Sequence, residues 1–321
     1  MIDISKGLLV AAATATFGMP SAGASTFASA ILDINNFKIS HANGNVYRNT
    51  DFSKLIGVND AHATASLNGV VKSLSSVGPR PDVAHQCVGA PCPAFGENNF
   101  TPYHAVQPMS GNFGYADQNF LGSAISVNGA AAGARSQTRA DVATTYNMQF
   151  ANSNSAVGSS NTMSFRLGTS DSMTVSFDAN PFAMAYSSPE GRPVTTANAR
   201  ISWSVNIVDL VTGITVFEYA PAVLNSMASV SRTHGNNGTS MYNATGTVFS
   251  FIATSPVLLA NRDYQITVQH NTLVSALQQE VPEPGSLAIV GAGLLAMTAG
   301  RRLRKDSNKG SNKGRRQPPR C

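Results

Sequence analysis

The chain has 321 residues, enough to bury a sizeable core, and only 12% of them are charged while 42% are hydrophobic. Gly, Ser, Thr and Asn together make up more than a third of the sequence. This composition excludes a highly charged disordered protein and a coiled coil. It is typical of an exported, β-rich domain whose outer faces carry hydroxyls and amides.

The net charge of +5 comes from the C-terminal end of the chain. Nine Lys and Arg residues lie at or beyond Arg301 against one acid, Asp306, and Asp3 balances Lys6 near the N-terminus. The body between these ends therefore has a net charge of −3. No nucleic-acid partner is expected, because nucleic-acid binding needs basic charge on a folded surface.

Residues 1–24 have the pattern of a secretory signal peptide. Lys6 precedes an apolar stretch that is too short to span a bilayer. Ala22-Gly23-Ala24 supplies the small residues that signal peptidase requires, and Ala28-Ser29-Ala30 is a second candidate. Cleavage is therefore expected after residue 24 or, alternatively, after residue 30. A buried N-terminal helix is the competing interpretation of the apolar stretch.

Residues 281–305 combine three features in a fixed order. The proline-containing segment 281–285 is followed by the uncharged apolar segment 286–300 and by the basic cluster 301–305. The prolines keep the first segment extended and outside the helix that follows. The apolar segment predicts a short transmembrane helix, and the cations behind it hold the basic, disordered tail 306–321 in the cytoplasm. A buried core helix is the alternative.

Pro282-Glu283-Pro284, the apolar segment and the arginines Arg301 and Arg302 resemble the PEP-CTERM sorting signal. The resemblance covers residues 281–305 and implies that the chain is a substrate of an exosortase, a transpeptidase-like membrane enzyme of bacteria that make exopolysaccharide. It implies that Pro282 and Pro284 fix the extended shape, that Glu283 is the recognised charge and that the arginines act as a stop. The tail 306–321 departs from the family, whose members usually end soon after the arginines.

Residues 31–280 lack helical periodicity and contain many segments in which apolar and polar residues alternate. They predict a mainly β fold, a single antiparallel β-sandwich of jelly-roll-like topology with long loops. The clearest strand buries Trp203 and leads through a Thr212-Gly213 turn into a hairpin. One strand is expected over 142–150, a helix or loop over 60–74, and long loops over 78–119.

Cys87 and Cys92 are expected to form a small disulfide loop, because an exported chain meets an oxidising environment. Cys321 has no partner in the basic tail. A metal site that adds His85 and His104 is the alternative, but this Cys-x₄-Cys spacing matches no standard zinc motif. Neither a metal nor another cofactor is therefore expected.

No motif of a metalloprotease, a serine hydrolase or a phosphate-binding loop occurs in the chain, and no catalytic residue is expected. Five aspartates of the body could supply catalytic carboxylates, but they are expected to cap turns or to face solvent. They are Asp82, Asp117, Asp141, Asp178 and Asp209. Tyr103 and Tyr115 are the candidate glycan contacts, because exposed aromatic rings present flat apolar faces to sugars.

The sequence predicts a non-enzymatic exported protein of the cell surface or extracellular matrix. It would use the general secretory machinery and signal peptidase, and residues 286–300 would hold it transiently in the inner membrane. An exosortase-like enzyme would then process it to the cell surface or the medium, where association with exopolysaccharide or a biofilm is expected. A carbohydrate-binding surface module is the second hypothesis, and a secreted hydrolase is the third.

Overall fold

The computed structural model describes residues 25–78, 81–103, 111–145, 149–189 and 194–279. The expected signal peptide and the segment 280–321, which holds the sorting signal, lie outside these residues. The described part is mainly β-strand, as the alternating sequence predicted, with single-turn 3-10 helices at Asn49–Asp51 and Ala222–Leu224. Within it, no helix is long and apolar enough to cross a membrane.

The described strands form two antiparallel sheets of seven strands each. The first sheet contains β1 (Thr26–His41), β4 (Gln86–Ala90), β5 (Asn112–Leu121), β6 (Ala134–Thr144), β8 (Asp171–Ser187), β12 (Gly238–Tyr242) and β13 (Phe249–Leu258). The second contains β2 (Phe52–Leu67), β3 (Val70–Gly78), β7 (Gln149–Leu167), β9 (Val194–Asp209), β10 (Ile214–Tyr219), β11 (Ser229–Thr233) and β14 (Asp263–Gln279). The strand orders are β12-β8-β1-β6-β5-β4, with β13 also on β8, and β10-β9-β14-β7-β2-β3, with β11 also on β9.

The inward faces of the two sheets share one apolar core. Val142 and Phe177 contribute from the first sheet, and Phe165, Trp203 and Ile266 contribute from the second. Trp203 is 1% exposed and lies 4.2 Å, centroid to centroid, from the ring of Phe177. The prediction of a buried tryptophan is confirmed, and the two sheets pack face to face as a sandwich.

Strand β1 lies inside the first sheet and pairs with β6 on one side and β8 on the other. The pairing begins at Thr26, which lies opposite Thr144 and Ser187. Ala28 and Ala30 face the shared core and are fully buried. The predicted start of the domain, residue 31, therefore falls inside β1. The segment Ala28-Ser29-Ala30, which resembles a cleavage site, belongs to this strand and contributes its two alanines to the core.

Residues 60–74, expected as a helix or loop, belong to the hairpin of β2 and β3. Asn68 and Gly69 form its turn with φ angles of 50° and 81°, the left-handed conformation that both central residues of a type I′ turn require. Leu67 pairs with Val70 across this turn. The prediction of a helix or loop over 60–74 is therefore wrong. It overlooked the Asn68-Gly69 pair, which is a strong hairpin signal between two apolar runs.

Two other segments also differ from the prediction, and one agrees with it. The single strand expected over 142–150 is divided, because β6 ends at Thr144 and β7 begins at Gln149. The expected loop region 78–119 contains β4 and most of β5. The Thr212-Gly213 hairpin is confirmed by the antiparallel pairing of β9 with β10. The jelly-roll topology stays a prediction.

Candidate functional site

The predicted disulfide and glycan residues lie at the outer face of the first sheet. Cys87 and Tyr115 belong to the sheet, whereas Cys92 and Tyr103 belong to the segment 91–103, which covers this face and which we call the cover loop. Phe95, Phe100 and Tyr103 of this loop pack in a second apolar cluster, separate from the shared core. The sheet contributes outward-facing side chains from β1, β5, β6 and β8, namely Phe27, Ile31, Phe113, Tyr115, Ala143, Phe182 and Met184. The first sheet is therefore buried on both faces in this region.

Strands β5 and β6 also place charged side chains under the cover loop. Arg139 lies opposite Asp117 in the strand pairing, and Asp141 lies opposite Tyr115. All four side chains are at most 1% exposed. An ionised side chain is rarely buried to this extent unless a partner compensates for the lost water. The contacts of these four residues therefore indicate their roles.

Arg139 joins the sheet to the cover loop. Its Nε donates to Oδ2 of Asp141 at 2.6 Å, and its Nη1 donates to the backbone carbonyls of Asn99 and Thr101 at 2.9 and 3.0 Å. The guanidinium carbon lies 3.5 Å from the ring centroid of Phe95, a cation–π contact. One buried cation therefore holds two carbonyls and one ring of the loop.

Asp117 holds the same loop from the neighbouring strand. Its Oδ2 accepts the backbone N–H of Asn98 at 2.8 Å and the hydroxyl of Tyr115 at 3.3 Å. Tyr115 also lies 3.1 Å from the carbonyl of Gly96, to which its hydroxyl can donate. Burial raises the pKa of the Asp117 carboxyl to about 6, and the nearby charge of Glu97 adds to this effect, although the Asn98 and Gln118 amides oppose it.

Two further contacts connect β4 and the residue before it to the cover loop. Cys87, on β4, and Cys92 form a disulfide with a Cα–Cα distance of 6.2 Å. His85 donates its backbone N–H to Oε1 of Glu97 at 2.9 Å, and its Nδ1 lies 2.7 Å from Oε2. Both side chains are partly exposed, so the contribution of this contact to stability is small beside that of the buried contacts.

These contacts change the roles expected for several residues. Tyr115 is buried and hydrogen-bonded, so its ring lacks the exposure that a glycan contact requires, and its glycan role stays a prediction. Tyr103 is partly buried and lies 5.8 Å, centroid to centroid, from Phe27. Asp117 and Asp141 were expected at turns or in solvent, but the cover loop removes them from water.

A second cluster of titratable side chains lies where β1 ends and β8 begins. Nδ1 of His41 is 2.6 Å from Oδ2 of Asp171, and Nε2 is 3.1 Å from Oδ2 of Asp51. The hydroxyl of Tyr47 donates to Asp171 at 3.1 Å, and its ring stacks on His41 with centroids 3.7 Å apart. Both ring nitrogens of His41 are thus engaged by carboxylates.

The carboxylates of this second cluster are held in their ionised form. Burial opposes ionisation of Asp171, but hydrogen bonds from His41 and Tyr47 outweigh it and lower the pKa of this carboxyl. The pKa of Asp51 is lowered against the same effect of burial by the backbone N–H of Arg48 and by His41. The cluster therefore cross-links strand ends, and no described group of three or more His, Cys, Asp or Glu side chains is arranged to hold a metal.

Loss of the Arg139 side chain should destabilise the protein strongly. Arg139→Ala leaves Asp141 buried without its cation, and we expect a loss of about 3–5 kcal/mol in the free energy of unfolding. Arg135→Ala is the matched control, because Arg135 lies on the same strand and pairs with Asp33 but is 47% exposed. We expect at most about 1 kcal/mol there by urea denaturation, and equal losses in the two variants would contradict the role given to Arg139.

The raised pKa of Asp117 predicts a stability that depends on pH. The folded-state pKa of about 6 exceeds the ordinary value of 3.8, so the contribution of this group is fully present below pH 4 and is lost as the pH rises through 6. Relative to Asp117→Asn, which cannot titrate, the wild type should lose about 2 kcal/mol between pH 4 and pH 7. A difference between the two proteins that stays constant with pH in urea titrations would refute this.

The comparisons with known proteins identify the C-terminal region. A family model described as the PEP-CTERM protein-sorting motif matches residues 280–305, which include Pro282, Glu283, Pro284 and the arginines Arg301 and Arg302. No curated protein and no solved structure matches the chain. The match begins at the residue after β14, whose last residue is Gln279. Residues 280–305 therefore carry the PEP-CTERM protein-sorting motif, as the order of the C-terminal features predicted.

Proposed function

We propose that this chain is a non-enzymatic protein of the cell surface or extracellular matrix. The sorting motif indicates an exported protein that an exosortase processes after transit through the membrane. The general secretory machinery and signal peptidase would deliver it, and residues 286–300 would anchor it in the inner membrane until processing. The β-domain would then be the part that reaches the surface or the medium.

The boundary between β14 and the motif is the observation that carries this proposal. Each strand of residues 26–279 pairs with other strands of the same segment, and the motif begins at residue 280. Cutting near Pro282-Glu283-Pro284 therefore removes no strand and no core residue of the described domain. This placement supports a role of the motif in processing, because a cut there leaves every described strand whole.

The structure of β1 supports one of the two signal-peptidase sites. Cleavage after residue 24 leaves Ser25 as the first residue, and the strand from Thr26 onward stays whole. Cleavage after residue 30 would remove Phe27 and Ala28, both fully buried, from the interior of the first sheet. We therefore propose that signal peptidase cuts after Ala24.

The non-enzymatic part of the proposal rests on how the charged side chains are used. Arg139 and Asp141 bind one another and the cover loop, and His41 is engaged by carboxylates at both nitrogens. A general acid or base needs a hydrogen-bonding position open to substrate. These two clusters support a structural role for their residues.

Association with exopolysaccharide is the finer part of the proposal, and the outer face of the second sheet supports it. Polar uncharged side chains lie side by side on neighbouring strands of this face, as in the pairs Thr64 with Ser73 and Ser202 with Asn271. Hydroxyls and amides are suitable hydrogen-bond partners for sugar hydroxyls. Tyr103 stays a predicted glycan contact, and a glycan-binding module remains the second hypothesis.

Replacement of the motif should block release of the protein. In the producing cells, the triple variant Pro282→Ala, Glu283→Ala, Pro284→Ala should leave the full-length chain in the membrane fraction, because the processing enzyme loses both the extended segment and its charge. Immunoblots of membrane and medium fractions measure this. Release of the triple variant at the wild-type level would count against the proposal.

The tail offers a matched control for this experiment. Gln317→Ala, Pro318→Ala, Pro319→Ala also removes two prolines and a polar side chain, but it lies beyond the matched residues 280–305. We expect this variant to be processed and released like the wild type. Retention of both triple variants in the membrane would show a general export defect and would remove the support for the motif.

A further inference from the structure

A pocket of about 430 Å³ lies between the two sheets, at the level of Trp203. Its volume falls within the range of small-molecule sites in proteins, roughly 300–1,000 Å³. It is lined from both sheets and by the loop that follows β5. The lining includes the aromatic side chains Phe37, Phe120 and Trp203 and the aliphatic side chains Ile34, Ile39, Leu55, Ile125, Ile266 and Val268.

Irregularities in the strand pairing of both sheets lie at this pocket. The pairing of β1 shifts between Ile34 and Phe37, and that of β2 with β7 shifts between Val58 and Ala61. A third shift occurs in β14 between Val268 and His270. Each shift lies at lining residues, and a β-bulge bends its strand, so the space is a feature of several strands and not a gap left by one small side chain.

The described residues of the lining carry no formal charge. Among them there is no Asp, Glu, Lys or Arg, and His270 is the titratable one. The ring nitrogens of His270 lie 2.7 Å from Oγ of Ser136 and 2.9 Å from Oγ1 of Thr138. Complete burial lowers the pKa of His270 to about 3, so the ring is neutral at physiological pH.

The pocket reaches the surface between β2 and the loop after β5. Gly57, Gly122 and Val127 line it and are exposed, so they mark its mouth. A Cβ atom placed on Gly57 would meet no atom within 4 Å, and its φ angle is one that other residues adopt. A larger side chain at this position can therefore occupy the mouth without strain in the backbone.

We propose that this pocket binds a small neutral molecule with an apolar body, such as a medium-length alkyl chain or a fused aromatic ring system. Apolar side chains supply most of the contact surface. The described lining offers no charged side chain, and this disfavours an ionised ligand, because a carboxylate would lose its water without gaining a cation. A neutral alcohol of given chain length should therefore bind more tightly than the carboxylate of the same length.

Trp203 provides a direct measurement, because it lines the pocket, is 1% exposed and is the single tryptophan of the chain. The full chain is titrated with 10-bromo-1-decanol, whose bromine quenches tryptophan fluorescence only at short range. We expect saturable quenching, with 10-bromodecanoate at pH 8 at least about tenfold weaker. Absence of saturable quenching would overturn the proposal, and equal binding of alcohol and carboxylate would overturn its choice of a neutral ligand.

Substitutions of two glycines locate the bound molecule. Gly57→Phe should weaken the quenching at least about tenfold by filling the mouth, and Gly57→Leu should weaken it less. Gly235→Phe is the matched control, because Gly235 is exposed, lies outside the pocket lining and also has open space around a Cβ. Thermal melts verify that each variant is folded. Quenching that is unchanged in both folded Gly57 variants would show that the ligand binds elsewhere and would refute the assignment.

Discussion

The first sheet depends on strand β1, because it is hydrogen-bonded along both edges and buried on both faces. Residues Thr26 to Ala30 pair with β6 and β8, and their side chains contribute to both apolar clusters. This requirement limits where the exported chain can be cut at its N-terminal side. At the other end, β14 continues to Gln279 and pairs with β7 and β9. The segments assigned to sorting therefore precede or follow the described strands in the sequence.

The cover loop adds a third layer to the sandwich and uses polar contacts to do so. Arg139 binds Asp141 and two loop carbonyls, while Asp117 accepts the N–H of Asn98. Burying these charges is unfavourable by itself, but each hydrogen bond they make fixes the loop in one position on the sheet. The disulfide between Cys87 and Cys92 restrains the chain where the loop begins. A long loop without regular structure thereby covers an apolar face that would otherwise be exposed.

Much of the second sheet could be predicted, whereas the face of the first sheet that carries the loop could not. The alternation around Trp203 identified β9, since one face of that strand is buried and the other is polar. Strand β6 gave no such signal: Arg139 and Asp141 are as buried as Val142, because the cover loop hides the outer face. The hydrogen bond from Arg139 to the carbonyl of Asn99 joins residues about 40 positions apart in the sequence. A local sequence pattern cannot show a contact of this range. The motif at 280–305 was recognisable because its three features are contiguous in the sequence.

The intact mass of the unreduced protein recovered from the medium of the producing cells tests the central claim most directly. The account predicts a species that begins at Ser25, lacks the apolar segment and the basic tail, and is lighter by the two hydrogens lost in one disulfide. This single mass reports the N-terminal cut that β1 permits, the oxidation of the disulfide and the cut at the sorting motif. A full-length mass with both ends uncut, found in the cytosol, or a species that begins at Ile31, would contradict the account.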